Sequence, residues 1–171
     1  MLRSLSSNVD TGEPLPLVLF ERLAAGRHFQ TGLSTLRQLE LALLDLRLHV
    51  DPARSARVRA TAVELQAEVA VLPRPPEARL ENAFGHIFAG AYAAGYYSYL
   101  WAEVMSADAW RCFEAGAADE APDPATGRRY RAAVLERGGS RPMLENFIDF
   151  VGRAPDPAAL LAARGLVGES G

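Results

Sequence analysis

The chain has 171 residues, of which 49% are hydrophobic and 23% charged, the balance of a folded chain with room for one sizeable core. A net charge of -3, with every basic residue an arginine scattered along the sequence, gives no electrostatic footprint for nucleic acid or an anionic membrane. The single Cys112 excludes an internal disulfide and a cysteine-based metal site, and no run approaches the roughly 18 apolar residues of a membrane span. A soluble, cytoplasmic protein with no nucleic-acid or membrane partner is the expectation.

In chain order, residues 1–12 read as a loosely ordered leader without a hydrophobic period. Pro14 and Pro16 sit where a helix can begin, Leu19, Phe20 and Leu23 give it an apolar face, and Gly26 ends it. Thr31 to Val50 is the clearest helix, with Leu36, Leu39, Leu43, Leu46 and Val50 stepping by three and four on one face. Asp51-Pro52 reads as a cap with proline at the first helical position, opening a second long helix that runs to about Leu72 on Val58, Ala62, Leu65, Val69 and Leu72. The two helices should form an antiparallel hairpin, stopped by Pro73, Pro75 and Pro76. A connection through Leu80 to Gly90 carries His86, and a third helix should start between Ala91 and Tyr96 and reach about Phe113.

Residues 117–127 read as an acidic surface loop, in which Asp123-Pro124 is a plain turn. A short helix from Arg128 to Arg137 should turn Tyr130, Val134 and Leu135 inward before Gly138-Gly139 stops it. Two more short helices follow, one on Leu144, Phe147, Ile148 and Val151, the other opening at Asp156-Pro157 with Leu160 and Leu161. The tail 167–171 should be frayed. No stretch alternates with a period of two between hairpin turns, so the fold class is all-α, a single bundle-like helical domain over 1–171.

His28, His49 and His86 are too far apart for any two to share a helix face. The H-E-x-x-H pair of a zinc peptidase, which sets two imidazoles one turn apart, does not occur. His28 and His49 read as helix-end or surface histidines, and Cys112 as a small packed hydrophobe. There is no G-x-S-x-G elbow and no phosphate-binding glycine loop. One stretch stands out. Gly85 to Glu103, GHIFAGAYAAGYYSYLWAE, holds one of three histidines and four of five tyrosines. Each buried phenol needs a partner. On a helix, Tyr96 and Tyr99 project within about 60° of each other, with Tyr97, Leu100, Trp101 and Val104 filling the neighbouring core arc. The phenols are then either interior residues with satisfied hydroxyls or donors aimed at a substrate carbonyl. Periodicity does not choose between them.

The segment FGHIFAGAYAAGYYSYLWAEVMSADAW resembles the C-terminal part of the oligopeptidase A and thimet oligopeptidase family of zinc metallopeptidases. DTGEPLP at Asp10, GRHFQTGLSTLRQLELALLDLRLH, TGRRYR at Thr126, ERGGSRPM at Glu136 and LLAARGL extend the resemblance, in order, from about Asp10 to Leu166. It implies a largely helical, two-part molecule enclosing a deep channel with zinc near its floor, in which short peptides are cut internally. It places the family's substrate-side histidine on His86 and its two intermediate-stabilising tyrosines on Tyr96 and Tyr99. Its mobile glycine-rich loop falls on Ala89 to Ala94, with Gly90 and Tyr92 against the substrate. The chain departs from the family where Ala91 follows Gly90 in place of a second glycine, and a β-carbon there disfavours positive φ.

The family's H-E-x-x-H, its glutamate base and its third zinc ligand are not in this sequence, so zinc belongs to the family and no zinc ligand to this chain. The resemblance therefore implies the substrate-binding, transition-state-stabilising C-terminal quarter of a metalloendopeptidase, inactive by itself. The alternative is a non-catalytic helical module that binds peptides or another protein. Short peptides are the expected ligands, and the zinc-bearing half or a second copy the expected partner, since faces that such a half covers leave apolar patches that favour self-association.

Overall fold

The computed structural model describes residues 2–115 and 123–167, whose regular elements are all helical, with no strand among them. Of the expected acidic loop over 117–127, residues 117–122 lie outside the described residues, as do residues 168–171 of the tail expected to fray.

In order, the elements are α1 (Leu2–Leu5), α2 (Leu17–Gly26), α3 (Thr31–Val50), α4 (Pro52–Ser55), α5 (Val58–Val69), α6 (Leu80–Ala83), a 3₁₀ turn over Gly85–Ile87, α7 (Ser98–Ala115), α8 (Pro124–Tyr130), a π-helical turn over Arg131–Leu135, α9 (Met143–Val151) and α10 (Pro157–Ala163). Three helices open on the same local chemistry. Asp51, Asp123 and Asp156 each accept the backbone N–H two residues on, while a proline fills the first helical position where no N–H partner is needed. This corrects the plain-turn reading of Asp123-Pro124. It is a helix start, and it moves the expected Arg128–Arg137 helix forward to Pro124, with a π turn closed by Glu136 N–H on the Arg131 carbonyl at its end.

The chain forms two compact units, 30–102 and the pair of segments 1–29 and 103–171, with the boundary falling inside α7.

In the 30–102 unit, α3 packs on α5. Arg47 pairs with Glu68, and Glu40 with Arg74, so the two segments run antiparallel. The second helix is not continuous. Ser55 Oγ donates to the Leu48 carbonyl at 2.8 Å, and Arg57 takes a non-helical φ of -131°, so α4 ends and α5 begins afresh. It also stops at Val69, because Ala70 is extended and Pro73 disfavours helix just before it. Leu44, Leu48, Ala62, Leu65 and Ile87 form the core, with Leu43, Val58, Val69, Leu80, Phe84 and Tyr96 packed around it.

The buried residues of α3 are Glu40, Leu41, Ala42, Leu44, Asp45 and Leu48; of the expected Leu36, Leu39, Leu43, Leu46 and Val50, Leu43 only flanks the core, and Leu39 and Val50 are exposed. Leucines occupy nearly every face of α3, so their spacing fits two stripes equally well. The stripe that wins carries two acids, each matched by partners inside the unit. Glu40 meets Arg37 and Arg74; Asp45 meets the partners described below.

In the other unit, Val104, Phe147, Phe150 and Ala159 are buried, and Phe113, Tyr130 and Phe150 stack edge-on and tilted within 5.1–5.7 Å. Asp108, fully buried on α7, takes both terminal nitrogens of Arg153 at 2.6 and 2.7 Å and the Asp156 N–H at 2.9 Å. The Arg153 hydrogen bonds, ahead of opposing burial, hold its carboxyl below the usual carboxylate range. Leu135, expected inward, is exposed. The π turn widens the helix there and rotates the positions that follow it.

Candidate functional site

His86 sits in the 3₁₀ turn that follows α6. Ile87, beside it, is wholly buried in the core and anchors the turn, while the imidazole stays exposed. Three phenols gather on this ring. Tyr92 stacks on it at 4.3 Å between centroids, Tyr96 meets it edge-on at 5.9 Å, and Tyr99 lies tilted at 6.1 Å. The phenols also touch each other, Tyr96 with Tyr99 at 5.1 Å and Tyr92 with Tyr99 at 6.2 Å. Phe84 backs Tyr96 edge-on at 5.2 Å, tying the cluster to the core.

The chain that delivers these rings is not the start of a long helix. α7 begins at Ser98, so Tyr92, Tyr96 and Tyr97 lie in the turns before it, and only Tyr99 stands on the helix. The expected helical ladder of Tyr96 and Tyr99 is therefore corrected. Ala94 explains the break: its φ is +55°, left-handed and unfavourable for a residue with a β-carbon, and the Gly95 N–H closes a turn onto the Tyr92 carbonyl at 2.8 Å. Gly90 serves close approach and not positive φ. A β-carbon there would lie 3.3 Å from the His86 carbonyl oxygen and 3.5 Å from the Tyr92 ring, beneath the His86–Tyr92 stack. Ala91, the departure from the family pattern, keeps a negative φ.

Tyr97 and Trp101, expected to pack in the core, are 51% and 45% exposed. Once Tyr97 is outside the helix, the arc counted from it no longer applies, and only Val104 of that set is buried.

The hydroxyls have partners already. Tyr96 OH donates to Gln38 Oε1 at 3.2 Å, and Tyr99 OH lies 3.5 Å from His86 Nε2, a loose contact. Burial first, then the neighbouring Tyr92, raises the Tyr99 phenol above its ordinary value of 10, so at neutral pH it keeps its proton as a donor.

Beneath the turn lies a residue that spacing did not single out. Asp45 of α3 is wholly buried, and its carboxylate accepts the Ala94 N–H at 2.9 Å, the Tyr96 N–H at 2.8 Å and approaches His49 Nδ1 at 2.8 Å. His49 stands exposed in the last turn of α3, as expected of a helix-end histidine, and also pairs with Asp45 one turn before it, its ring tilted against Phe88 at 5.9 Å. The available signal was an Asp and a His at i and i+4 in a run of leucines. Gln38 was equally unflagged.

The sequence profile of peptidase family M3 matches residues 1–166. The chain belongs to that family. It is 43% identical to oligopeptidase A of Salmonella typhimurium over 98% of this chain and 24% of that protein. Against the probable cytosolic oligopeptidase A of Arabidopsis thaliana it is 42% identical, over 99% of this chain and 24% of the relative. Against saccharolysin of Saccharomyces cerevisiae identity is 34%, over 96% and 23%. The chain thus spans about a quarter of the length of these curated relatives.

The cluster around His86 does not fit a zinc site by its donor chemistry. One imidazole faces phenols and a phenylalanine, and among the described residues no second imidazole or carboxylate is grouped with it to hold a metal. Among the described residues no group of three His, Cys, Asp or Glu side chains is placed to hold a metal. No described helix is long and apolar enough to cross a membrane.

Proposed function

We propose that this chain is the substrate-binding portion of an M3 metalloendopeptidase acting on short peptides, and that His86, Tyr96 and Tyr99 are its substrate-facing donors. The observation that carries the reading is the convergence of three phenols on one exposed imidazole, with a Tyr99–His86 contact loose enough to be exchanged for a ligand. In this reading Tyr92 and Gly90 form the wall against which a peptide lies. Tyr99 and Tyr96 donate to a peptide carbonyl and to the negative oxygen that develops on it. Donors of this kind, fixed before reaction, contribute about a hundredfold to rate in acyl-transfer sites. Zinc, which the resemblance implies for the family, polarises the carbonyl and activates water when bound. Among the described residues no group of His, Cys, Asp or Glu is placed to hold it, and in this reading the chain's part is binding and orientation.

A cytoplasmic setting is part of the proposal, in keeping with one unpaired cysteine, Cys112. So is self-association, supported by α2. That helix buries none of its residues and exposes Leu17, Val18, Leu19 and Leu23.

A quenched-fluorescent short peptide tests the catalytic half of the account. The pure chain should leave it uncut with added zinc, while fluorescence polarisation should show it bound. Chelator-sensitive cleavage by the pure chain overturns the binding-portion reading, and failure to bind overturns the peptide site. Binding that Tyr99→Phe and Tyr96→Phe leave unchanged places the peptide elsewhere, the outcome for a helical interaction module.

A further inference from the structure

We propose that Asp45, steadied by His49, is a positioning residue that fixes the Ala94–Tyr96 turn and so aims the Tyr96 phenol; this rests on the peptide-site reading above.

The argument starts from cost. A carboxylate withdrawn from water is strongly unfavourable unless its oxygens are matched by donors. Asp45 is 0% exposed, in the leucine-rich middle of α3, and it meets three donors. Two are the N–H groups of Ala94 and Tyr96; the third is His49 Nδ1, which also lies 2.9 Å from the Asp45 carbonyl and so carries its proton there. A leucine at this position would fill the core without any of these demands.

An ordinary helix cap does not account for the contacts. Capping groups bind the N–H groups of a helix's own first turn. Both N–H groups held by Asp45 precede Ser98, on either side of Gly95. One belongs to the residue held at φ +55°, and the other to the residue that bears the phenol. Charged hydrogen bonds can hold a strained residue that the local sequence would otherwise release. Tyr96 is then fixed at both ends, its backbone on Asp45 and its hydroxyl on Gln38, both residues of α3. A rigid helix thereby sets the position of a side chain delivered by an irregular turn.

The test uses the full chain in two readouts, amide hydrogen exchange and polarisation of a fluorescein-labelled octapeptide. In Asp45→Asn, exchange at Ala94 and Tyr96 should speed by about tenfold or more, while amides around Leu44 and Leu65 stay protected. Octapeptide affinity should fall about as far as in Tyr96→Phe, and the double variant should lose little more than either alone. Unchanged exchange at the two amides, or losses that simply add in the double variant, overturns the proposal. His49→Phe, which keeps a ring against Phe88 and deletes the Nδ1 donor, should shift both readouts in the same direction by a smaller factor. It carries the test should Asp45→Asn fail to fold, and unchanged exchange in it then overturns the proposal. If the unaltered chain leaves the octapeptide unbound, the peptide-site reading fails by itself, and exchange at Ala94 and Tyr96 alone upholds or overturns the clamp.

Discussion

Asp45 Oδ2 accepts the Tyr96 N–H at 2.8 Å across 51 positions of sequence. The turn that presents the aromatic cluster is thus bound to the first long helix of its unit, and its geometry depends on α3 as much as on its own residues.

The turn's strain gives the first prediction. Ala94 sits at φ +55°, a region that costs a residue with a β-carbon about 1–2 kcal/mol. Glycine removes that cost and adds about 0.4–1 kcal/mol of unfolded-state entropy. Ala94→Gly should therefore stabilise the chain slightly, by roughly 0.5 kcal/mol, read from urea unfolding. A loss of more than about 1 kcal/mol would mean that the left-handed conformation is absent.

The corrected face of α3 gives the second. Leu44 is buried in the core and Leu39 is exposed, although the leucine spacing made Leu39 the core residue. Leu44→Ala should cost about 3 kcal/mol and Leu39→Ala less than about 1 kcal/mol. The reverse order would restore the stripe read from spacing.

Acid should weaken the Asp108 site. Its carboxyl lies below the ordinary range when folded, so its contribution is fully present above the unfolded value of about 3.9 and is lost as pH falls through the folded value. Asp108→Asn should cost about 2 kcal/mol at neutral pH, because it leaves the Asp156 N–H and Arg153 poorly matched. It should also flatten the acid limb of a stability-versus-pH curve below about pH 4. Parallel curves for the two proteins would contradict this assignment.

Gln38 yields a fourth. It holds the Tyr96 hydroxyl at 3.2 Å, so a ligand must compete with it for the phenol proton. Gln38→Leu should change octapeptide affinity only while Tyr96 keeps its hydroxyl. An equal change in the Tyr96→Phe background would contradict the coupling.

Much of the fold was legible because it rests on local rules. Asp51-Pro52 and Asp156-Pro157 marked helix starts, and the Val58, Ala62, Leu65 stripe was that of α5. Spacing failed where tertiary contacts decide. Leucines on every side of α3 left two stripes open, and the buried acids Glu40 and Asp45 settled it through partners distant in sequence. His86, Tyr92, Tyr96 and Tyr99 were conspicuous by their crowding in sequence, but the manner of their gathering was not legible. A helical count from Tyr96 cannot anticipate a left-handed Ala94, since that conformation is held in place by a carboxylate on another helix.

The most direct test of the peptide-site account is polarisation of the fluorescein-labelled octapeptide on the unaltered chain and on Tyr99→Phe, which keeps the ring and deletes only the hydroxyl. The account predicts saturable binding that weakens about tenfold or more in the variant. Binding of equal strength in both proteins, or none in either, would contradict it.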